Sequence, residues 1–207
     1  MAVLPTHNVH RERRLAISSR RGSKKVTRAF KIEQNLDDAI QAEARKAGIT
    51  PSSLVSQILT RHVKWVKYTG LGSTFLTIDR EVMGSFVEEI DEDRLVELAR
   101  SLALVSTHNF LKFRYQKINV ETVLDFLEAL SSYSNFGEIR VVSDEKRESE
   151  GFSTSLEINI RHSLGMKWSI FLSEYLAGML SSFLEFRTTT EVSQLGCTVT
   201  AVRSDLQ

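Results

Sequence analysis

Residues 26–32 read VTRAFKI, and the stretches that follow read NLDDAIQAEARKAGIT (35–50) and PSSLVSQILTRHVKWVKY (51–68). The first alternates: Phe30 and Ile32 point one way, Ala29 and Lys31 the other, which is the period of a strand. In the second, Asn35 is placed to cap a helix, with Asp38 three residues on in an acidic first turn. Leu36, Ile40 and Ala44 share one face of that helix, and Lys46 with Gly48 supplies its stop signal. The third opens with Thr50 as cap and Pro51 at the first helical position. Leu54, Val55, Ile58, Leu59, His62, Val63 and Val66 then make an apolar stripe to about Tyr68, before Gly70 and Gly72 punctuate the chain.

The chain around this segment has 207 residues, 42% of them apolar, enough for one large or two small globular domains. Its single cysteine, Cys197, rules out an internal disulfide and fits a reducing compartment, so a cytoplasmic, nucleoid-associated location is expected. Residues 1–24 are rich in Arg, Ser and His, include Arg11, Arg13, Arg14, Arg20, Arg21 and Lys24, and show neither helical nor strand period. They are expected to form a disordered basic arm, without the apolar stretch of a signal peptide.

The net charge of +1 hides an asymmetry: residues 1–70 carry 14 Lys/Arg against five Asp/Glu, and the remainder 13 against 21, so the two parts stand at +9 and −8. A basic N-terminal part attracts polyanions, and an acidic remainder is repelled by the same phosphates.

Beyond Gly72, Thr74 to Ile78 reads as a short strand. Asp79 caps a helix to about Ile90, Asp91 a longer one to about Tyr115, and Asn119 a third to about Tyr133. Glu138–Ser143 and Ser153–Arg161 read as strands joined by a polar loop, Asp144–Gly151, and Thr188–Val202 as a last strand region. Met166–Phe186 approaches the length of a membrane span, but Glu174 interrupts it and Trp168, Phe171, Leu172, Tyr175, Met179 and Phe183 recur at helical spacing, so a core helix and no membrane contact are expected.

One strand and two helices over about 45 residues leave too much surface wet to be stable alone, so a partner is required. Strand, helix, Gly turn and Ser/Thr-capped helix is an order that resembles the ribbon-helix-helix superfamily, in particular its CopG-like members. The resemblance is carried by TRAFKI, the Leu36, Ile40, Ala44 face, AGITPSS and LVSQIL, about a fifth of the chain. It implies a homodimer whose paired strands form an antiparallel ribbon that enters the major groove of double-stranded DNA, over a shared core of Phe30, Ile32, Leu36, Ile40, Leu54 and Ile58. Placing Phe30 and Ile32 inward leaves Thr27, Ala29 and Lys31 outward; the opposite register buries Lys31 and exposes Phe30, at a cost of several kcal/mol (~3 or more).

The resemblance implies that the three outward residues are the base readers: Lys31 can donate to guanine, Thr27 can donate or accept, and Ala29 can touch a thymine methyl. Arg28, Ser52 and Ser53 are expected at phosphates, the serines through the free amides and hydroxyls of a helix N-terminus. Arg20, Arg21, Lys24 and Lys25 of the arm follow phosphates or enter a minor groove without selecting sequence. Lys64 and Lys67 read as partners of the helix dipole.

The remaining residues offer little chemistry. Cys197 lies in the strand-like LGCTVTAV and reads as a buried inert thiol. His108 and His162 lack the spacing of a metal site, and the nickel site of one regulator built on this superfamily is not carried over, since its histidine-rich pattern is missing. Glu88, Glu89, Asp91, Glu92 and Asp93 read as a solvated helix junction, and a ligand pocket beside Trp168 and Tyr175 is the alternative to a plain aromatic core.

The expected class is α+β: an arm (1–24), a β-α-α dimerisation and DNA-binding unit (25–69) and a separate α/β domain (73–203) with a small sheet and several helices. The expected function is a sequence-specific DNA-binding transcriptional regulator, not an enzyme, with no cofactor or metal. Its C-terminal domain would serve oligomerisation or the sensing of a small-molecule effector. The competing reading is a scaffold or antitoxin-like adaptor that uses the N-terminal unit only to dimerise.

Overall fold

The computed structural model describes residues 26–69, 78–134, 137–148 and 151–206, a mixed helix and sheet fold of the α+β class. Residues 26–33 lie outside helix and sheet. Helix α1 (Gln34–Lys46) begins two residues earlier than Asn35 predicts: Glu33 takes the cap position, and the Asn35 side chain accepts from the Leu36 amide instead. Its end follows the sequence. Gly48, at φ +67°, donates to the Arg45 carbonyl while Ile49 donates to Ala44, the paired bonds that close a helix over a left-handed residue. Helix α2 (Pro51–Arg61) is capped by Thr50, whose hydroxyl accepts from the Ser53 amide at 3.1 Å.

Helix α2 continues through a π turn, His62–Val66, into the short α3 (Lys67–Thr69). The wider turn adds a residue to the helical repeat, so the stripe read from sequence does not stay on one face. Leu54 is buried early in α2 against α1, but at the far end Trp65 goes inward and Val63 and Val66 stay exposed. Trp65 joins the core of the following region, with its ring 6.0 Å from Phe110 and 6.5 Å from Tyr133.

The predicted strand over Thr74–Ile78 falls almost wholly outside the described residues. Helix α4 (Arg80–Glu88) starts at Asp79, whose carboxylate accepts from the Glu81 and Val82 amides. Helix α5 (Glu92–Leu102) runs through a second π turn (Ala103–Thr107) into α6 (His108–Tyr115), so the long helix expected after Asp91 is present with an inserted residue. A left-handed Gln116 ends it. Helix α7 (Val120–Tyr133) opens with a reciprocal capping box between Asn119 and Thr122.

Four antiparallel strands make one sheet in the order β1-β2-β4-β3: β1 (Glu138–Glu148), β2 (Gly151–Arg161), β3 (Arg187–Ser193) and β4 (Gly196–Leu206). Two expectations are corrected here. Asp144–Gly151 is not a long loop, because β1 and β2 stay paired to Glu148↔Gly151; backbone pairing does not depend on the polarity of the side chains it carries. The single strand region 188–202 is a hairpin, turning at 194–195 where Gly196, at φ +159°, lies so close to the Ile160 carbonyl that no Cβ fits between them.

On one face, rows such as Ile139–Ile160–Cys197 and Val141–Ile158–Val199 turn towards the helices. Across that face lies α8 (Gly165–Leu184), with Leu172, Leu176, Met179 and Leu180 fully buried and α5 packed on its other side. Trp168, Phe171 and Tyr175 stack in sequence within this core, at 4.9 and 6.1 Å, and the Tyr175 hydroxyl meets Thr107 Oγ1 at 2.5 Å. The pocket considered beside Trp168 and Tyr175 is therefore filled by their own packing. Among the described residues no helix is long and apolar enough to cross a membrane. The opposite face of the sheet is polar, with Arg140 paired to Glu138 and Asn159 bridging Glu157 and Thr198.

Candidate nucleic-acid interface

The residues singled out as base readers, Thr27, Ala29 and Lys31, are all exposed, and so is Arg28. Arg20, Arg21, Lys24 and Lys25 lie outside the described residues. The predicted inward residues are not covered within one chain: Phe30 is 62% exposed, Leu36 50%, Ile58 50% and Ile32 39%. Ile40 is half-buried, and of the six only Leu54 is buried. Val26, Leu59, Val63 and Val66 extend the inventory of uncovered apolar side chains in residues 26–69. The α1–α2 pair thus has one small contact of its own, around Ala44 and Leu54, and a larger apolar surface without a partner.

At the N-terminus of α2 the supply of donors is smaller than the sequence suggested. Pro51 has no N–H, and the Ser53 amide is committed to Thr50. What α2 offers an anion is the Ser52 amide with the Ser52 and Ser53 hydroxyls, at the positive end of an 11-residue helix. Both lysines near the end of the helical stretch are exposed, and Lys67 Nζ stands 4.7 Å from the Tyr68 ring.

The other candidate groups have structural surroundings. Cys197 is buried on the helix-covered face of β4, and burial pushes its thiol up to about 12, which keeps it protonated and unreactive. Burial likewise pushes the Tyr175 phenol up to about 12. Burial and a hydrogen bond to Asp125, which also pairs with Arg114 at 3.0 Å, raise the Tyr115 phenol. The carboxylates at the α4–α5 junction are exposed, and Lys167 reaches the junction to donate to the Glu88 and Ile90 carbonyls.

His162, whose surroundings the sequence left open, is a fastener. Its Nδ1 accepts from the Leu164 amide at 3.1 Å, which leaves the proton on Nε2, facing Ser169 Oγ at 2.9 Å; Ser169 in turn donates to the Ser193 carbonyl. With the His162 amide donating to Leu195, this relay ties the entry of α8 to the β3–β4 turn. Burial lowers the His162 pKa, in keeping with a neutral ring that must accept at Nδ1. No signal in the local sequence HSLGMKWS marks such a relay, since its third member lies 31 residues away.

Among the described residues no group of three His, Cys, Asp or Glu side chains is placed to hold a metal ion. A cleft of about 390 Å³ lies where Asn119 and Glu121 meet Glu185 and Arg203, with mixed charge and a wide mouth. No family model, curated protein or solved structure matches the chain.

Proposed function

We propose that the chain is a dimeric, DNA-binding transcriptional regulator of ribbon-helix-helix type. Two copies of residues 26–32 pair as an antiparallel ribbon, with α1 and α2 of both chains closing one core beneath it. The observation that carries the reading is the exposure of Phe30, Ile32, Leu36 and Ile58 in a single chain, at positions the strand and helix periods assign to a shared interior. Covering such side chains gains ~1.5–3 kcal/mol each, which a single chain forgoes.

In the ribbon Thr27, Ala29 and Lys31 share the outward face and reach base edges, with Lys31 the principal donor to guanine. The Ser52 amide and the two serine hydroxyls clamp a phosphate, Arg28 reaches a neighbouring one, and the arm supplies affinity that salt screens. The charge of −8 beyond residue 70 holds the second region away from the duplex.

The test is a gel shift across a salt series, using fragments selected from genomic DNA by the full chain. Lys31→Ala is expected to weaken the selected site by ~1–3 kcal/mol and random duplex far less, whereas deletion of residues 1–24 weakens both and flattens the salt slope. Unchanged binding in both variants overturns the reading and leaves the N-terminal unit as a dimerisation device of a scaffold.

A further inference from the structure

Strand β3 is the last strand of the sheet among the described residues, bonded to β4 on one side only. Its sequence, RTTTEVS, contains no Lys or Pro; its charges, Arg187 and Glu191, are one of each sign, and its three threonines favour extended backbone. Val192 is opposite Cys197 and therefore on the helix-covered face, yet it is 43% exposed; Leu195, in the adjoining turn, is 68% exposed. Among the described residues neither Arg187 nor Glu191 forms a salt bridge.

This edge is its own complement. When a second copy is laid antiparallel with Thr189 opposite Thr189, Arg187 falls opposite Glu191, Thr188 opposite Thr190 and Phe186 opposite Val192, each pair twice. Directly opposite residues share a face, so the ion pairs flank Thr189 on the polar face, while on the helix face the half-exposed Val192 is set beside the rim of the core at Phe186, which is itself buried. The register is specific. Centring on Thr188 sets Glu185 against Glu191, and centring on Thr190 sets Arg187 against Ser193. An isologous contact requires such self-complementarity.

We propose that β3 pairs with β3 of a second copy about a two-fold axis at Thr189, joining two sheets into one of eight strands with an Arg187–Glu191 ion pair on each side. The contact is independent of the role proposed for residues 26–69, and the two together take the assembly beyond a dimer.

The experiment measures the mass of the full chain by sedimentation. Arg187→Glu and Glu191→Arg, each placing like charges opposite one another, are expected to halve the assembly, and the double variant to restore it. A Thr189→Cys variant is expected to form a disulfide-linked dimer on mild oxidation, and a Ser193→Cys control none, because the 193 positions stand far apart in this register. Equal mass in all three charge variants overturns the proposal, as does loss in all three with no cross-link at 189. Ile58→Asp separates the two contacts: it halves the mass through residues 26–69 whatever the β3 variants do, and its failure to do so counts against the first contact alone.

Discussion

Residues 26–69 and residues 78–206 both carry helices with amphipathic patterns, but the second region closes a core of its own and the first does not. In the second, α8 lies between the sheet and α5 with Leu172, Leu176, Met179 and Leu180 fully buried, so these side chains need nothing from outside the chain. In the first, α1 and α2 touch around Ala44 and Leu54 and leave Phe30, Leu36, Ile58 and Leu59 open to solvent. The difference lies in what surrounds each pattern. A stripe folds a chain only where another stripe of the same chain faces it; otherwise it is an interface in waiting.

The largest effect that sharpens this contrast is expected at Leu176, which is fully buried in α8. Leu176→Ala removes packing no partner can replace and is expected to cost ~2–5 kcal/mol, read as a fall in Tm that does not depend on protein concentration. Ile58→Asp is the opposite case. Its cost to the unfolding of residues 78–206 is expected within about ±0.5 kcal/mol, while self-association through the first region disappears. Equal losses of Tm in the two variants at all concentrations would erase the distinction drawn between the regions.

A smaller effect is expected at the turn between α1 and α2. Thr50→Ala removes the side-chain acceptor of the Ser53 amide and is expected to cost ~1 kcal/mol, measured by denaturant unfolding of the dimer.

The smallest effect belongs to His162. Because burial places its folded pKa below the unfolded value of about 6.5, the unfolded chain holds the extra proton between the two values. The stability His162 contributes is therefore complete above about pH 6.5 and declines as pH falls towards the folded pKa. Tm is expected to fall more steeply between pH 7 and 5.5 in the parent than in His162→Gln, and parallel profiles would remove the relay as a source of pH dependence.

How far the sequence could be read follows the same contrast. Elements announced by local chemistry were legible: Gly48 as a left-handed stop, Thr50 and Pro51 as a start, Asp79 and Asn119 as caps, and the long apolar repeat of α8. Elements set by distant partners were not. The continuation of β1 to Glu148 rests on its ladder with β2, the break between β3 and β4 on the approach of Gly196 to Ile160, and the direction of Trp65 on a π turn. The stops at Gln116 and Glu185 put ordinary side chains into left-handed backbone, where glycine is the usual signal. In the proposed interface Thr27, Ala29 and Lys31 are exposed, but so are Phe30 and Ile32, because the ribbon that would separate the two faces of a two-residue period needs a second chain.

The burial of Trp65 also bears on how a signal could pass along the molecule. The indole four residues before Thr69 is held among Phe110 and Tyr133. Any joint reorientation of α1 and α2 that leaves this anchor in place must bend the chain upstream of Trp65, where α2 meets the π turn. Trp65 and Trp168 are the only two indoles in the protein, so the emission of a Trp168→Phe variant would report on that joint alone.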